Sequence, residues 1–142
     1  MNEKETIQKI LEMKTIAVVG LSPKPSRQSY IVAKYLQSVG YKIIPVNPGH
    51  DKILNEKVYK SLKDIPSEVD VVDIFRRPEY VIPIAEDAIK IGAKAIWFQD
   101  LIINEEAAQK AEDAGLLVVM NDCMSRQRQA MDDPNYAPYC EI

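Results

Sequence analysis

The segment TIAVVGLSPKPSRQSYIVAKYL, Thr15 to Leu36, decides the fold. A short apolar run rich in β-branched residues leads into Gly20. After the loop, Ile31, Val32, Tyr35, Leu36 and Val39 recur at helical spacing. Strand, glycine turn and helix in that order open a nucleotide-binding α/β unit. A dinucleotide site of the G-x-G-x-x-G type would place two more glycines after the first. Here the chain gives LSPKPSR, residues 21–27, a loop that is stiff, hydroxyl-bearing and cationic.

Working outward, four more apolar runs read as strands: Lys42 to Val46, Val69 to Phe75, Lys94 to Phe98 and Leu116 to Met120. Near-continuous apolar character, without alternation, is the signature of parallel strands covered on both faces. The connectors carry helical patterns. Val81, Ala85, Ala88 and Ile89 form one apolar stripe. Ala107, Ala108, Ala111 and Ala114 form a shallow alanine face suited to close packing. SVGYKII, KIGAKAI and DAGLLVV each place a glycine between a helix and the next strand, where a left-handed residue ends the helix. Asn104 is a predicted N-cap, with Glu105 and Glu106 in the positive first turn. Pro78 and Pro83 fit a helix start. The segment ILNEKVYKSLKDI, residues 53–65, reads as irregular chain with one short helix after Ser61. Residues 1–13 read as an amphipathic helix with Ile7, Ile10 and Leu11 on one face, and residues 124–142 as a C-terminal extension packed by Tyr136 and Tyr139. The expected fold is α/β: a Rossmann-like, three-layer, open parallel sheet of five strands, order 3-2-1-4-5, with helices on both faces. The 142 residues are expected to form a single domain.

In such a sheet, ligands bind beyond the C-terminal strand ends, where the strand order reverses. Strand 1 delivers Gly20, Leu21 and Ser22 there, and the following helix start offers free N–H groups to an anion. Ser22, Ser26 and Ser29 add hydroxyls, and Lys24 and Arg27 add charge. The same loop is equally readable as an ordinary βα turn with capping serines. Strand 2 ends in Val46, Asn47 and Pro48, with no carboxylate to accept ribose hydroxyls, which argues against a standard NAD site. Phe75, Arg76, Arg77 and Pro78 end strand 3, and paired guanidiniums can clamp phosphate. Trp97 and Gln99 are candidates to flank the pocket from strand 4, with Trp97 also readable as core.

No catalytic constellation is legible, so the reading favours binding over chemistry. His50 stands alone in the loop NPGHDK. Asp70, Asp73, Asp100 and Asp122 are scattered acids near strand ends, with no metal-ligand spacing. Cys123, just past strand 5, has two readings: a buried inert thiol, or one able to exchange with a ligand thiol. With Cys140 it forms no disulfide framework, which points to a reducing, cytoplasmic setting. A net charge of −3 excludes a general attraction for nucleic acid or anionic membrane. No apolar run approaches the length of a membrane span, and residues 1–14 do not read as a secretory signal.

VVGLSPKPSRQSY, YKIIPVNP, VDVVDIFRRPEYV, IGAKAIWFQ and NEEAAQKAEDAGLLVVMNDC occur in this order. Together, over roughly residues 10–124, they resemble the small stand-alone coenzyme A-binding proteins. Those are similar in fold to the CoA-binding domain of the succinyl-CoA synthetase α subunit. The resemblance implies CoA or an acyl-CoA as ligand, with residues 20–29 at the phosphates and Val46, Asn47 and Pro48 beside the adenosine. It implies Phe75 to Pro78 flanking adenine and pantetheine, and Trp97 and Gln99 along the outgoing pantetheine. Two departures stand out. Gln99 is followed by Asp100 and Leu101 where relatives commonly carry glycine, and MSRQRQ follows Cys123 in place of the family's basic and acidic residues. The synthetase's phosphorylated histidine lies in another domain, and His50 does not match it. The implied role is a non-catalytic carrier, sensor or regulatory module. An NAD(P)-binding redox protein and a CoA-binding subunit of a larger acyl-CoA ligase are the alternatives. A homodimer or an unidentified protein partner is left open, and a stable homodimer would count against the subunit alternative.

Overall fold

The computed structural model describes residues 1–133 and 135. Tyr136, Tyr139 and Cys140 lie outside the described residues. Five parallel strands form the main sheet: β1 (Thr15–Val19), β2 (Lys42–Val46), β5 (Val71–Ile74), β6 (Ala95–Phe98) and β7 (Leu117–Met120). Two short strands, β3 (Lys52–Ile53) and β4 (Glu56–Lys57), make a separate hairpin. The helices are α1 (Lys4–Leu11), α2 (Gln28–Ser38), α3 (Val81–Lys90), α4 (Glu105–Asp113) and α5 (Met124–Asp132). Among the described residues no helix is long and apolar enough to cross a membrane.

The α/β class and the five parallel strands agree with the sequence reading, but the strand order does not. The sheet runs β2-β1-β5-β6-β7, which is 2-1-3-4-5 for the main strands, not 3-2-1-4-5. The third main strand pairs with the free side of β1, Ile16 opposite Val71. The reason lies in the chain between β2 and β5. It holds only the β3–β4 hairpin and a 3₁₀ turn at Leu62–Asp64, with no full helix to cover a crossover laid outside β2. Part of that connector occupies the outer edge of β2 instead, through a parallel bridge between Val46 and Tyr59. The order therefore reverses between β1 and β5, and the Phe75 segment arrives directly beside Gly20.

Alternation along each strand sorts the core into two layers. Ile16, Val18, Val71, Ala95, Trp97 and Val119 pack against α1, α2 and α5. Ala17, Ile44, Val72, Ile74, Ile96 and Phe98 pack against α3 and α4. Ala107, Ala108 and Ala111 of α4 are fully buried, as are Ala85 and Ala88 of α3, but Ala114, expected on the same alanine face, is the exposed C-cap of α4. Small side chains let both helices lie close to the sheet and to each other. On α2 the buried set is Ser29, Val32, Ala33 and Leu36, while Ile31 is half exposed, so the stripe is rotated from the expected one. Ile7, Ile10 and Leu11 of α1 are buried as expected, and the Tyr41 hydroxyl donates to the Leu11 carbonyl. Residues 124–132 of the expected extension form α5, anchored by fully buried Met124. The Asn2 side chain donates to the Met120 carbonyl at 2.6 Å and accepts the Met120 N–H at 2.9 Å, covering part of the β7 edge.

Asn104 caps α4 as its position suggests. Its Oδ1 accepts the Ala107 N–H at 3.0 Å, and its Nδ2 donates to the Pro78 carbonyl at 2.9 Å. One side chain thus starts a helix and pins the loop after β5. Asn104→Ala is expected to cost about 1–2 kcal/mol, read as a lower urea midpoint. Asn104→Asp keeps the cap but loses the donor to Pro78, and should recover only part of that loss.

Candidate functional site

The site is built around Gly20. Its N–H donates to the Val46 carbonyl at 2.9 Å, and the next strand closes in from the other side, with the Phe75 N–H donating to the Val19 carbonyl at 2.9 Å. Gly20 has φ +87°, and a Cβ added there would lie 2.4 Å from the Phe75 carbonyl oxygen and 3.1 Å from Arg76 Cδ. Only glycine suits both the conformation and the space. The result is a crevice floored by backbone, opening into a cavity on either side.

The first cavity, about 440 Å³, faces the start of α2. Gly20, Ser22, Lys24, Arg27, Ser29 and Asn47 all line it, with Phe75 from the β5 end. The loop is shaped by its own hydroxyls: Ser29 Oγ accepts the Ser22 N–H at 3.0 Å, and Ser22 Oγ accepts the Lys24 N–H at 3.1 Å. Asn47 braces it from β2, donating from Nδ2 to the Leu21 carbonyl at 3.0 Å and accepting the Gly49 N–H at 2.9 Å. Arg27 stands at the N-cap position of α2 and makes no capping hydrogen bond with its side chain. No acid lies in the first turn. The helix therefore presents its positive end and first-turn N–H groups beside two cations, an arrangement that favours an anion.

The second cavity, about 230 Å³, lies toward α3 and is mainly apolar. Val19, Val46, Pro48 and Leu62 form its walls, with Tyr80 and Ile84 from the α3 side. The Arg76 guanidinium sits over the Tyr80 ring, 5.6 Å from its centroid. Lys60 and Ser61 reach this cavity from the connector after β4, and Asp87 from α3.

The structure thus brings together most of the residues singled out from sequence, on two sides of one glycine. It leaves six elsewhere. Leu21 is fully buried and contributes its carbonyl to Asn47. Ser26 and Arg77 are exposed and line neither cavity. Pro78 opens a 3₁₀ turn, Pro78–Tyr80. Trp97 is fully buried in the α1/α2/α5 layer, its indole N–H donating to the Asp122 carbonyl at 3.0 Å. Gln99, two residues on and so on the same face of β6, is buried and donates to Asp73 Oδ1 at 2.5 Å. Sequence reasoning missed Pro23, Gln28 and His50 in the first cavity and Val19, Lys60, Ser61, Leu62, Tyr80, Ile84 and Asp87 in the second. The signal for Tyr80 and Ile84 was present, since they follow the arginine pair into a helix.

Behind the crevice, Asp73 is fully buried, and its Oδ2 has no hydrogen-bond partner among the described residues. Burial pushes its carboxyl up to about 7, against the smaller opposing pull of the Gln99 and Ile74 hydrogen bonds. At the other end of the mouth, Arg126 of α5 grips Asp100 with both nitrogens at 2.8 Å, and its Nη2 also reaches Asp122 Oδ1 at 3.1 Å. The Asp100 charge is therefore held toward α5. Cys123 precedes that helix, almost fully buried, with Sγ 3.3 Å from Ser125 Oγ, which agrees with the buried-thiol reading.

Residues 14–128 match the family model described as CoA binding domain. The chain belongs to the CoA binding domain family. It is 43% identical over 122 residues to the uncharacterized protein YneT of Bacillus subtilis (strain 168), covering 85% of this chain and 90% of that one. A hypothetical protein from Pyrococcus horikoshii OT3 superposes with a TM-score of 0.86 at 47% identity, covering 89% and 90% of the two chains. The α subunit of acetate–CoA ligase [ADP-forming] I from Pyrococcus furiosus is 35% identical over 97 residues, 64% of this chain but 21% of that subunit. The donors around Gly20 suit a CoA binding domain: a helix N-terminus with lysine and arginine for phosphates, and an apolar slot with an aromatic ring for a base.

Proposed function

We propose that this protein binds coenzyme A or an acyl-CoA across the Gly20 crevice, as a non-catalytic carrier, sensor or regulatory module. One observation carries the reading: a cationic cavity at the start of α2 and an apolar one beside Tyr80 meet at a single glycine. The cofactor has the matching asymmetry. Its pyrophosphate suits the first-turn N–H groups, Lys24 and Arg27. Its adenine suits the slot formed by Val46, Pro48 and Tyr80. The pantetheine arm then leaves along the mouth of the sheet, past Phe75.

Calorimetry with CoA tests this directly: binding at sub-millimolar concentration is expected, and its absence would defeat the proposal. Arg27→Ala should weaken CoA roughly ten- to hundredfold, the effect of one lost charge-assisted contact. Arg27 is exposed, so the melting temperature should stay within a degree or two. An Arg27→Ala protein with wild-type affinity would remove the phosphate assignment.

The similarity to part of an ADP-forming acetate–CoA ligase subunit favours a second reading, in which the chain supplies the CoA site to a partner that carries the chemistry. Purification as an isolated species that binds CoA with full affinity would count against it.

A further inference from the structure

We infer that Lys60 reads the ribose 3′-phosphate, and so makes the site selective for CoA over its dephosphorylated form. The inference rests on the CoA reading above. With the pyrophosphate at the start of α2 and the base in the slot beside Tyr80, the ribose lies over Gly20, the one residue of the loop shared by both cavities. The inference places the ribose 3′-phosphate at the rim of the second cavity, where Lys60 stands. Two cations line this cavity, Arg76 and Lys60. The Arg76 guanidinium is stacked over Tyr80. Lys60 has no ion-pair partner among the described residues, and a lysine meets a phosphate as a mobile point charge.

The backbone that carries Lys60 is fixed, although its connector looks irregular in sequence. The Tyr59 N–H donates to the Pro45 carbonyl at 3.0 Å, and the Tyr59 carbonyl accepts the Asn47 N–H at 2.9 Å. This stitch adds one residue to the edge of β2 and delivers Lys60 to the rim beside Val46 and Pro48. Ser61 starts the 3₁₀ turn at Leu62–Asp64, and its hydroxyl is held by Asp64 Oδ2 at 3.2 Å, so the next residues are fixed as well. Asp87 of α3 is the acid that lines the same cavity.

The test compares CoA and dephospho-CoA by calorimetry on the wild type, Lys60→Ala, Lys60→Arg and Lys24→Ala. The wild type should prefer CoA roughly ten- to hundredfold. Lys60→Ala should bring that ratio close to one by weakening CoA alone, and Lys60→Arg should restore most of it. Lys24→Ala should weaken both ligands alike and keep the ratio. Lys60 is exposed, so an unchanged melting temperature shows that the variant is folded. A wild type without preference, or a Lys60→Ala protein that keeps it, overturns the assignment while leaving CoA binding intact. A wild type that binds neither ligand overturns the CoA reading, and this inference with it.

Discussion

Gly20→Ala is expected to abolish measurable CoA binding and to cost about 2–5 kcal/mol of stability. Two effects add. An alanine at φ +87° pays roughly 1–2 kcal/mol for the left-handed conformation. Its methyl would also lie 2.4 Å from the Phe75 carbonyl oxygen, a backbone atom fixed by the β1–β5 pairing. Relief requires those strand ends to separate, an overpacking penalty of about 1–3 kcal/mol. The melting temperature should fall by roughly 5–15 °C for a chain of this size. Binding should fail even well below that temperature, because the floor common to both cavities has moved. Gly49→Ala is the control: the nearest atom to its added Cβ is Asn47 Oδ1 at 3.5 Å, an ordinary contact. A Gly20→Ala protein that melts and binds like the wild type would show that the crevice is not built on this close approach.

The second large effect is a pH dependence of stability set by Asp73. Its carboxyl stands at about 7 in the folded protein, against an ordinary value of 3.8. Below pH 4 it is protonated in both folded and unfolded chains, and no penalty exists. As pH rises through 4, the unfolded chain ionises first, and stability falls until the folded carboxyl ionises near 7. Above that the penalty is constant, of the order of 2–4 kcal/mol. Asp73→Asn removes the charge while keeping an acceptor for Gln99. It should match the wild type within about 1 kcal/mol at pH 4 and exceed it by a few kcal/mol at pH 8. Urea denaturation at several pH values reads this directly. Parallel wild-type and Asp73→Asn curves from pH 4 to 8 would mean that the carboxyl is not held in its neutral form.

What was legible in the sequence follows from locality. β1, the Asn104 cap and the alanine face of α4, apart from exposed Ala114, depend on neighbours within a few residues and appear where expected. Strand order does not. The apolar run ending at Ile74 fits a place beside β1 or beyond β2 equally well, and only the connector before it, which lacks a full helix, decides. The burial of Trp97 agrees with its core reading, and that of Gln99 was not legible, because a doubly covered strand has no polar face to announce which way its side chains point. The β3–β4 hairpin hid behind an unusual turn, Leu54 and Asn55 both at positive φ, in place of an asparagine–glycine pair. Lys60 was invisible as a site residue because a single long-range bridge, Val46 to Tyr59, brings it to the rim.

Arg126 spans the ends of two neighbouring strands, and Asp100 and Asp122 gather on the same guanidinium nitrogen. One guanidinium thus bonds the carboxylates that follow both strands. The helix after β7 is therefore no appendix to the sheet: it supplies the counter-charge that lets adjacent strands finish on acids. A chain stripped of it would leave both side chains without the one guanidinium that joins these strand ends.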